Sequence, residues 1–323
     1  MRKLLLTASA IALSLGLGSA SHAEGMKIAF TIHSSPSNTF WQAVKKGYED
    51  ACTRMGADCQ MIFTQTEGSI EQQVANMSAA LAGKPDALIT SIVDNKAFDD
   101  LIKQARDAGV IVIAANVDDL EGAKGNARQA FVGQGFIPAG YTLGKAMNAM
   151  LPKEGPLKIA VGISAPGQNW SEQRGKGVMN FFEELKASGR DVTITRLDTG
   201  TDLAVVADRV GAYLNANPDT NAYFDTGYWH AAVAKVLADR GVPPGKTMLG
   251  GFDLVPEVLQ QMKTGYVQVQ IDQQPYKQGF LPVVQAYLAK NFGLDPSDVD
   301  TGQGVVLQAN VDKIMELSKQ GVR

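Results

Sequence analysis

The chain has 323 residues, and 30 lysines and arginines stand against 33 aspartates and glutamates, which gives a net charge of −3 at pH 7. That balance gives no indication of nucleic acid or an anionic membrane surface as a partner. The length is more than one hydrophobic core usually absorbs, so we expect two domains.

The segment 1–23 has the features of a signal peptide. Two basic residues are followed by an uncharged apolar run at 4–17, and Ser21 and Ala23 place small side chains where a signal peptidase reads. The apolar run is too short for a comfortable membrane span, and no cysteine lies near the cut to carry a lipid. We therefore expect an exported, soluble protein that is cleaved after Ala23.

Beyond the signal peptide, short apolar runs alternate with helical patterns. Between the runs, apolar residues recur at helical spacing, as in the stripe of Ile70, Val74, Met77 and Leu81. Strands that alternate with amphipathic helices predict an α/β fold with parallel sheets covered on both faces. The runs predict strands at 27–32, 60–63, 86–92, 110–114, 158–163, 192–197, 222–224, 247–250 and 267–271.

The chain also repeats itself weakly. The segments 85–116 and 218–253 each read as a strand, a helix that ends in Gly-Val, and a second strand. The repeat predicts two lobes of like build, with Asn116 and Asp253 at matching strand ends. Because no Pro-, Gly- or Ser-rich linker separates the two segments, we expect strands that cross between the lobes.

The sequence contains two cysteines, Cys52 and Cys59. In an oxidising exported compartment such a pair is more often bonded than free. We expect a structural disulfide that ties the end of the first helix to the next strand, and two unrelated buried thiols are the alternative. No histidine or second cysteine pair lies nearby in the sequence, so we expect no zinc site.

Candidate ligand-contacting residues follow the predicted strands, where ligands bind in open parallel sheets. The three tryptophans, Trp41, Trp170 and Trp229, each lie a few residues past a strand end. Aromatic rings stack on the C–H faces of a sugar ring or polyol, and amides, carboxylates and a guanidinium satisfy hydroxyl groups. The set predicts a site for a small, neutral ligand with many hydroxyl groups. Around the tryptophans lie His33, Asn38, Phe40, Asn116, Asp118, Glu172, Arg174, Tyr228, His230, Asp253 and Gln273.

Enzyme motifs are weak in this sequence. No G-x-G-x-x-G follows the first strand and no Walker loop occurs, so the usual cradles for dinucleotides and nucleotides are excluded and no cofactor is expected. The segment 162–166 approaches the G-x-S-x-G nucleophile elbow, but Pro166 breaks the pattern. A hydrolase that uses His33 or His230 is the alternative function, although neither histidine has an evident nucleophile partner.

Three segments carry a family resemblance: KIAFTIHSSPSNTFWQAVKKGYEDA at 27–51, GGFDLVPEVLQQMKTG at 250–265 and VQIDQQPYKQGFLPV at 269–283. With these segments in this order, the chain resembles the periplasmic sugar-binding proteins of the ribose- and galactose-binding type, which deliver substrate to ABC importers. The resemblance covers essentially the whole chain after the signal peptide.

The resemblance implies a type I periplasmic binding protein, with two Rossmann-like lobes that are joined by a three-strand hinge and close on the ligand. The first lobe would comprise 26–132 plus 274–303, and the second 133–273 plus 304–323. It implies a monomeric periplasmic receptor that delivers a monosaccharide, sugar alcohol or similar compound to the permease of an ABC importer. A chemotaxis receptor is the alternative partner.

By similarity, the family's ligand positions fall on His33, Asn38, Phe40, Trp41, Arg174, Asp253 and Gln273. The chain departs from the family at Asn116-Val117, where Asp-Arg is frequent, and at Glu172, where ribose-type proteins carry a second arginine. It departs again at Gly227-Tyr228, where an Asn-Asp pair is usual. A site that lacks a needed hydrogen-bond partner rejects the ligand that requires it. We therefore expect a sugar or polyol other than ribose.

Overall fold

A computed structural model of the protein describes residues 25–323. The predicted signal peptide at 1–23 lies outside the described residues. Within the described part, strands and helices alternate along the chain and form two six-stranded sheets. No helix in this part has both the length and the apolar character needed to span a bilayer.

The first sheet is entirely parallel, with the strand order β11-β5-β4-β3-β1-β2. Its central strands are buried along their whole length, as expected for strands with helices on both faces. It consists of β1 (Lys27–Thr31), β2 (Asp58–Ile62), β3 (Ala87–Thr90), β4 (Ile111–Asn116), β5 (Ala130–Gly133) and β11 (Val299–Asp300).

The second sheet repeats this order as β12-β10-β9-β8-β6-β7. All its pairs are parallel except the one between β10 and β12, which is antiparallel. It consists of β6 (Leu157–Ile163), β7 (Val192–Asp198), β8 (Ala222–Asp225), β9 (Met248–Phe252), β10 (Val267–Asp272) and β12 (Gly304–Leu307).

Helices cover both sheets, and the chain passes between the sheets three times. The passages lie between β5 and α4, between β10 and α9, and between β11 and β12. The helices are α1 (Phe40–Met55), α2 (Ile70–Ala82), α3 (Asp99–Asp107), α4 (Phe136–Asn148), α5 (Asn169–Ala187), α6 (Leu203–Ala216), α7 (His230–Asp239), α8 (Pro256–Lys263), α9 (Pro275–Phe292) and α10 (Val311–Ser318).

The predicted fold class, α/β with parallel sheets, is confirmed. Each of the nine predicted strands is present, with ends that differ by at most two residues. The sequence did not indicate β5, β11 and β12, because these are edge or near-edge strands of only two to four residues. The antiparallel pairing of β12 also differs from the parallel arrangement that the alternation predicts.

Two helix pairs pack with their backbones in close contact because glycines face each other. On the first sheet, α1 and α9 cross at Gly47 and Gly279. A Cβ on Gly279 would lie 1.9 Å from the carbonyl oxygen of Val44, and one on Gly47 would lie 2.1 Å from the carbonyl oxygen of Tyr276. No side chain fits at either position, so glycine fixes the distance between these helices.

The same device occurs on the second sheet, where α4 and α5 cross at Gly140 and Gly177. A Cβ on Gly140 would lie 2.1 Å from the carbonyl oxygen of Arg174, and one on Gly177 would lie 2.2 Å from that of Ile137. The two halves of the molecule therefore share the sheet order and the way in which one helix pair packs.

Cys52 in the last part of α1 is joined by a disulfide to Cys59 in β2, seven residues later. Closing so short a loop restricts the unfolded chain only modestly. The double variant Cys52→Ala/Cys59→Ala is expected to lose about 2 kcal/mol of unfolding free energy, the loss that loop-closure entropy gives for a loop of this size. Urea unfolding followed by circular dichroism measures the difference.

Reducing agent provides the control for this prediction. It should lower the urea midpoint of the wild-type protein by the same amount and leave the double variant unchanged. Equal midpoints for the wild-type protein and the variant under oxidising conditions would contradict the prediction.

Candidate ligand-binding site

A cavity lies where the carboxyl ends of strands from both sheets come together. The position is the one expected for ligands in open parallel sheets. The lining residues are His33, Asn38, Phe40, Trp41, Glu67, Asn116, Phe136, Trp170, Arg174, Gly227, Tyr228, Trp229, Asp253 and Gln273.

Asn116 and Asp253 occupy equivalent positions in the two sheets, at the ends of β4 and β9. Both have left-handed backbones, with φ of 69° and 73°. Asparagine and aspartate tolerate this conformation better than most residues. The turn that follows each strand therefore places one polar side chain at the cavity, as the sequence repeat predicts.

Aromatic side chains form much of the cavity wall. On the first-sheet side, Trp41 is 1% exposed. Its ring packs edge-on against the rings of Phe40 and His33, and the two centroids are 5.4 Å apart in both pairs. On the second-sheet side, Tyr228 stacks on Trp229 at 4.6 Å. A ligand in the cavity therefore has flat apolar surfaces on two sides.

Arg174 is buried among aromatic rings. Its guanidinium carbon lies 4.2 Å from the ring centroid of Phe252, 4.9 Å from that of Phe136 and 5.8 Å from that of Trp170. Cation–π attraction of this kind strengthens when water is excluded. The rings therefore hold the guanidinium in one orientation beside the cavity.

The polar contacts of Arg174 leave its Nε nitrogen without a partner among the described residues. Nη1 donates to the carbonyl oxygen of Thr226 at 3.0 Å and Nη2 to Oε1 of Gln134 at 3.2 Å, whereas Nε has no hydrogen-bond partner among the described residues. Burial lowers the pKa of Arg174 to about 10, and the nearby carboxylates of Asp253 and Asp225 act in the opposite direction. Arg174 is therefore cationic at neutral pH.

Asp253 is held by a hydrogen-bonded chain of amides that runs through a passage between the sheets. Gln273 Nε2 donates to Asp253 Oδ1, and Gln273 Oε1 accepts from Asn116 Nδ2 at 3.3 Å. Asn116 Nδ2 also donates to Gln278 Oε1 at 2.8 Å. Burial raises the pKa of Asp253, and the charge of Arg174 and the bond from Gln273 counteract the rise.

Glu67 lines the cavity although the sequence analysis did not select it. Its carboxylate accepts from Ser34 Oγ at 2.8 and 2.9 Å, from the Ser35 amide at 2.9 Å and from Asn38 Nδ2 at 2.9 Å. The signal that points to it is its place in the loop after β2, five residues beyond the strand end. Glu67 thus fixes the loop that carries Asn38.

His33 lies beside this loop and is uncharged. Its Nδ1 is 2.9 Å from Ser91 Oγ. Burial lowers the pKa of His33 to about 4, an effect that the negative charge of Glu67 only partly offsets. The ring therefore offers a neutral nitrogen to the cavity at physiological pH.

The two halves of the molecule touch at the rim of the cavity. The side-chain Nδ2 of Asn169 donates to Asn95 Oδ1 at 2.8 Å, and the backbone amide of Asn169 donates to the carbonyl oxygen of Val93 at 3.1 Å. Gln168 Nε2 donates to the carbonyl oxygen of Gly68 at 3.0 Å. These bonds join the start of α5 to loops of the first sheet, so the cavity is closed on this side.

Two of the sequence-predicted ligand residues, Asp118 and Glu172, are not among the residues that line the cavity. Asp118 accepts from Nε of Arg128 at 2.7 Å and forms an ion pair with the same guanidinium. Glu172 pairs with Arg196 Nη1 at 2.6 Å on the outer face of α5. Each carboxylate is already neutralised by an arginine, which explains why neither turns toward the cavity. We leave both out of the ligand-binding set.

His230, which the sequence placed near the strand ends, also lies outside the cavity wall. It is fully buried, and its Nε2 is 3.1 Å from Gln270 Oε1. Burial lowers the pKa of His230 to about 3. Its role is therefore to pack α7 against the second sheet.

Comparison with known proteins gives the relatives of this chain. A xylose/arabinose-binding protein of Sulfolobus acidocaldarius is 28% identical over 308 residues, which cover 91% of this chain and 74% of that protein. A D-galactose/methyl-galactoside binding periplasmic protein of Haemophilus influenzae is 26% identical and covers 81% of this chain and 80% of its own length. Among solved structures, the chain is similar to a periplasmic sugar binding protein from Legionella pneumophila, described as an ABC sugar transporter. The TM-score is 0.78 and the identity 25%, and the match covers 86% of this chain and 99% of that chain.

Two similar sheets with a small-molecule cavity at their strand ends define a two-lobed α/β binding protein. The chain belongs to the periplasmic binding protein family, because the model of the periplasmic binding protein domain matches residues 28–293. The resemblance drawn from the sequence is thereby confirmed. Family membership implies a periplasmic location, and the relatives named above are binding proteins rather than enzymes.

Proposed function

We propose that the protein captures a monosaccharide, sugar alcohol or similar polyhydroxylated compound and delivers it to an ABC importer. The observation that carries this proposal is the cavity itself. Aromatic rings from both halves of the molecule line it together with amide, carboxylate and guanidinium groups. This combination suits a ring with apolar C–H faces and polar edges, since each buried hydroxyl needs a hydrogen-bond partner.

Ten of the lining residues have a proposed role. Phe40 and Trp41 cover one face of the ligand, and Trp170 and Tyr228 cover the other. The remaining lining residues that the sequence selected contact hydroxyl groups; they are His33, Asn38, Asn116, Arg174, Asp253 and Gln273. The relatives support a carbohydrate ligand. One is described as a xylose/arabinose-binding protein and another as a D-galactose/methyl-galactoside binding protein.

The delivery step rests on movement of two lobes. In this proposal the lobes are 26–132 plus 274–303 and 133–273 plus 304–323, and the three passages between the sheets form the hinge. The protein acts as a monomer after cleavage behind Ala23. A closed, liganded form is recognised by the permease of the importer, and a chemotaxis receptor is a second partner for the same form.

A thermal-shift screen tests the proposed function. A ligand that binds the folded protein alone stabilises it, by about 2.7 kcal/mol at a concentration one hundred times its Kd. At least one compound among pentoses, hexoses and their alcohols is expected to raise the melting temperature clearly. Mass spectrometry of any compound that co-purifies identifies the ligand directly. No shift with any of these compounds would contradict the carbohydrate proposal.

A hydrolase has little support from the same residues. His33 is paired with Ser91, but Ser91 is 0% exposed and is not among the residues that line the cavity. Its Oγ also accepts from Gln73 Nε2 at 3.2 Å and from the His33 amide at 3.2 Å. The pair therefore orients the imidazole ring. A product found by mass spectrometry after incubation with the stabilising compound would favour the enzyme instead.

A further inference from the structure

The ionised side chains in the cavity wall carry unequal charge. Glu67 and Asp253 are the acids that line the cavity, and Arg174 is the cationic side chain. His33 contributes no charge at neutral pH, because burial lowers its pKa to about 4. The wall therefore has a net charge of −1.

The positive charge of Arg174 is offset by acids on its own side of the cavity. Asp253 and the buried Asp225 both act on its guanidinium. Glu67, by contrast, forms no ion pair with a lysine or arginine anywhere in the part of the chain that the structure covers, and its partners Ser34, Ser35 and Asn38 are neutral donors. The excess negative charge thus lies at Glu67.

Glu67 also has room for one more donor. An ionised carboxylate offers about four acceptor positions. The Ser34 hydroxyl lies within reach of both oxygens but has one hydrogen to give, so Ser34, Ser35 and Asn38 together supply three hydrogens. One acceptor position of Glu67 is left for a ligand.

Asp253 offers a second unfilled acceptor. Its Oδ1 accepts from Gln273, whereas Oδ2 has no donor from the described residues. The Asp253 residue is 7% exposed and lies in the cavity wall, so a ligand is what can reach this oxygen. Two carboxylates in the cavity wall therefore each have an acceptor position that a ligand donor can fill. An ammonium group suits them, because it has three donors and no acceptor.

The aromatic wall favours the same kind of ligand. The faces of tryptophan and tyrosine rings attract cations, and the attraction strengthens when water is excluded. Trp41, Trp170 and Trp229 are each less than one tenth exposed, and Tyr228 stacks on Trp229. The cavity that Glu67 lines thus contains aromatic rings as well as carboxylates.

We infer that the ligand of this cavity is a polyhydroxylated amine, an amino sugar or amino cyclitol, whose ammonium group lies beside Glu67 while its ring lies between the aromatic walls. This inference rests on the proposed function and narrows it. It replaces the neutral ligand that the sequence predicts with a cationic one. Sugar acids and sugar phosphates are expected to bind less tightly, because they would add negative charge to a wall whose one cation, Arg174, is already offset by Asp253 and Asp225.

Matched sets of ligands test the inference. Calorimetric titrations in slightly acidic buffer, where the amines carry their proton, compare glucose, galactose and mannose with the corresponding 2-amino sugars and uronic acids. At least one amine is expected to bind about tenfold or more tightly than its neutral parent, the gain of one charge-assisted hydrogen bond. The uronic acids are expected to bind less tightly.

The variant Glu67→Gln separates charge recognition from loop support. It should weaken binding of the amine by about tenfold or more beyond any loss that it causes for the neutral parent. Glu71→Gln is the matched control, since Glu71 is an exposed acid in the first turn of α2 and its loss should change neither affinity.

Three outcomes would overturn the inference or the function beneath it. If a neutral parent binds as tightly as its amine, the ligand is uncharged and the proposed function still stands. If Glu67→Gln weakens both ligands equally, Glu67 supports the loop and does not recognise charge. If no compound binds in these titrations and none shifts the melting temperature in the screen of pentoses, hexoses and their alcohols, the proposed function itself fails.

Discussion

Replacing Asp253 with alanine is expected to weaken ligand binding by about 2–5 kcal/mol, the usual cost of truncating one partner of a buried, hydrogen-bonded charge pair. Asp253 lies in the cavity wall with one oxygen bonded to Gln273 and the other free for a ligand. Its loss also leaves the buried charge of Arg174 with less compensation, because Asp253 is one of the acids that act on it. Titration calorimetry with the ligand found in the thermal-shift screen measures the change.

Asp239→Ala is the matched control for this variant. Asp239 is an exposed aspartate at the end of α7, where it pairs with Lys235. Surface pairs of this kind contribute about 0–1 kcal/mol, so both affinity and unfolding free energy should stay close to the wild-type values. An Asp253→Ala protein that is folded and binds with wild-type affinity would show that the cavity is not the ligand site.

Replacing Gly279 with alanine is expected to destabilise the protein by about 3 kcal/mol, at the upper end of the range for overpacked interiors. The added Cβ would lie 1.9 Å from the carbonyl oxygen of Val44 and 2.7 Å from the amide nitrogen of Tyr48, both backbone atoms of α1. Backbone cannot rotate away as a side chain can, so α1 and α9 must separate. Urea unfolding followed by tryptophan fluorescence measures the loss.

The same substitution at Gly304 is the control. A Cβ there would lie 3.7 Å from Cβ of Asp272, an ordinary contact, and Gly304 is exposed in the edge strand β12. Surface substitutions of this kind usually change stability by about 0.5 kcal/mol or less. Equal stability of Gly279→Ala and Gly304→Ala would mean that the crossing of α1 and α9 is looser than its geometry indicates.

The repeating pattern of the chain was sufficient to predict the sheets and several residues at their edges. Buried parallel strands appear as continuous apolar runs, so β3 and β4 were evident before the structure. Ligands bind at the carboxyl ends of such strands, and the weak repeat placed Asn116 and Asp253 at matching strand ends of the two lobes, so both could be assigned to the site. The order of the elements and the type of sheet thus indicate which residues lie at the strand ends, and both can be predicted from a single sequence.

The direction of individual side chains was less predictable. Asp118 and Glu172 also follow strands, but each pairs with an arginine: Asp118 with Arg128 in the loop before β5, and Glu172 with Arg196 in β7. Glu67 was missed for the opposite reason. It enters the wall because the loop after β2 folds against the loop after β1, where the Gly68 amide donates to the carbonyl oxygen of His33. Loop-to-loop contacts of this kind leave no periodic pattern in the sequence.

The hydrogen bonds of Gln168 and Asn169 across the rim have a consequence for how affinity and selectivity are divided. Neither residue lines the cavity, so these bonds form without direct contact with the compound inside. In the proposed closure they stabilise the closed form, and apparent affinity scales with the population of the closed form. Substitutions at the rim can therefore tune the concentration at which the protein responds, while the choice among compounds stays with the cavity wall.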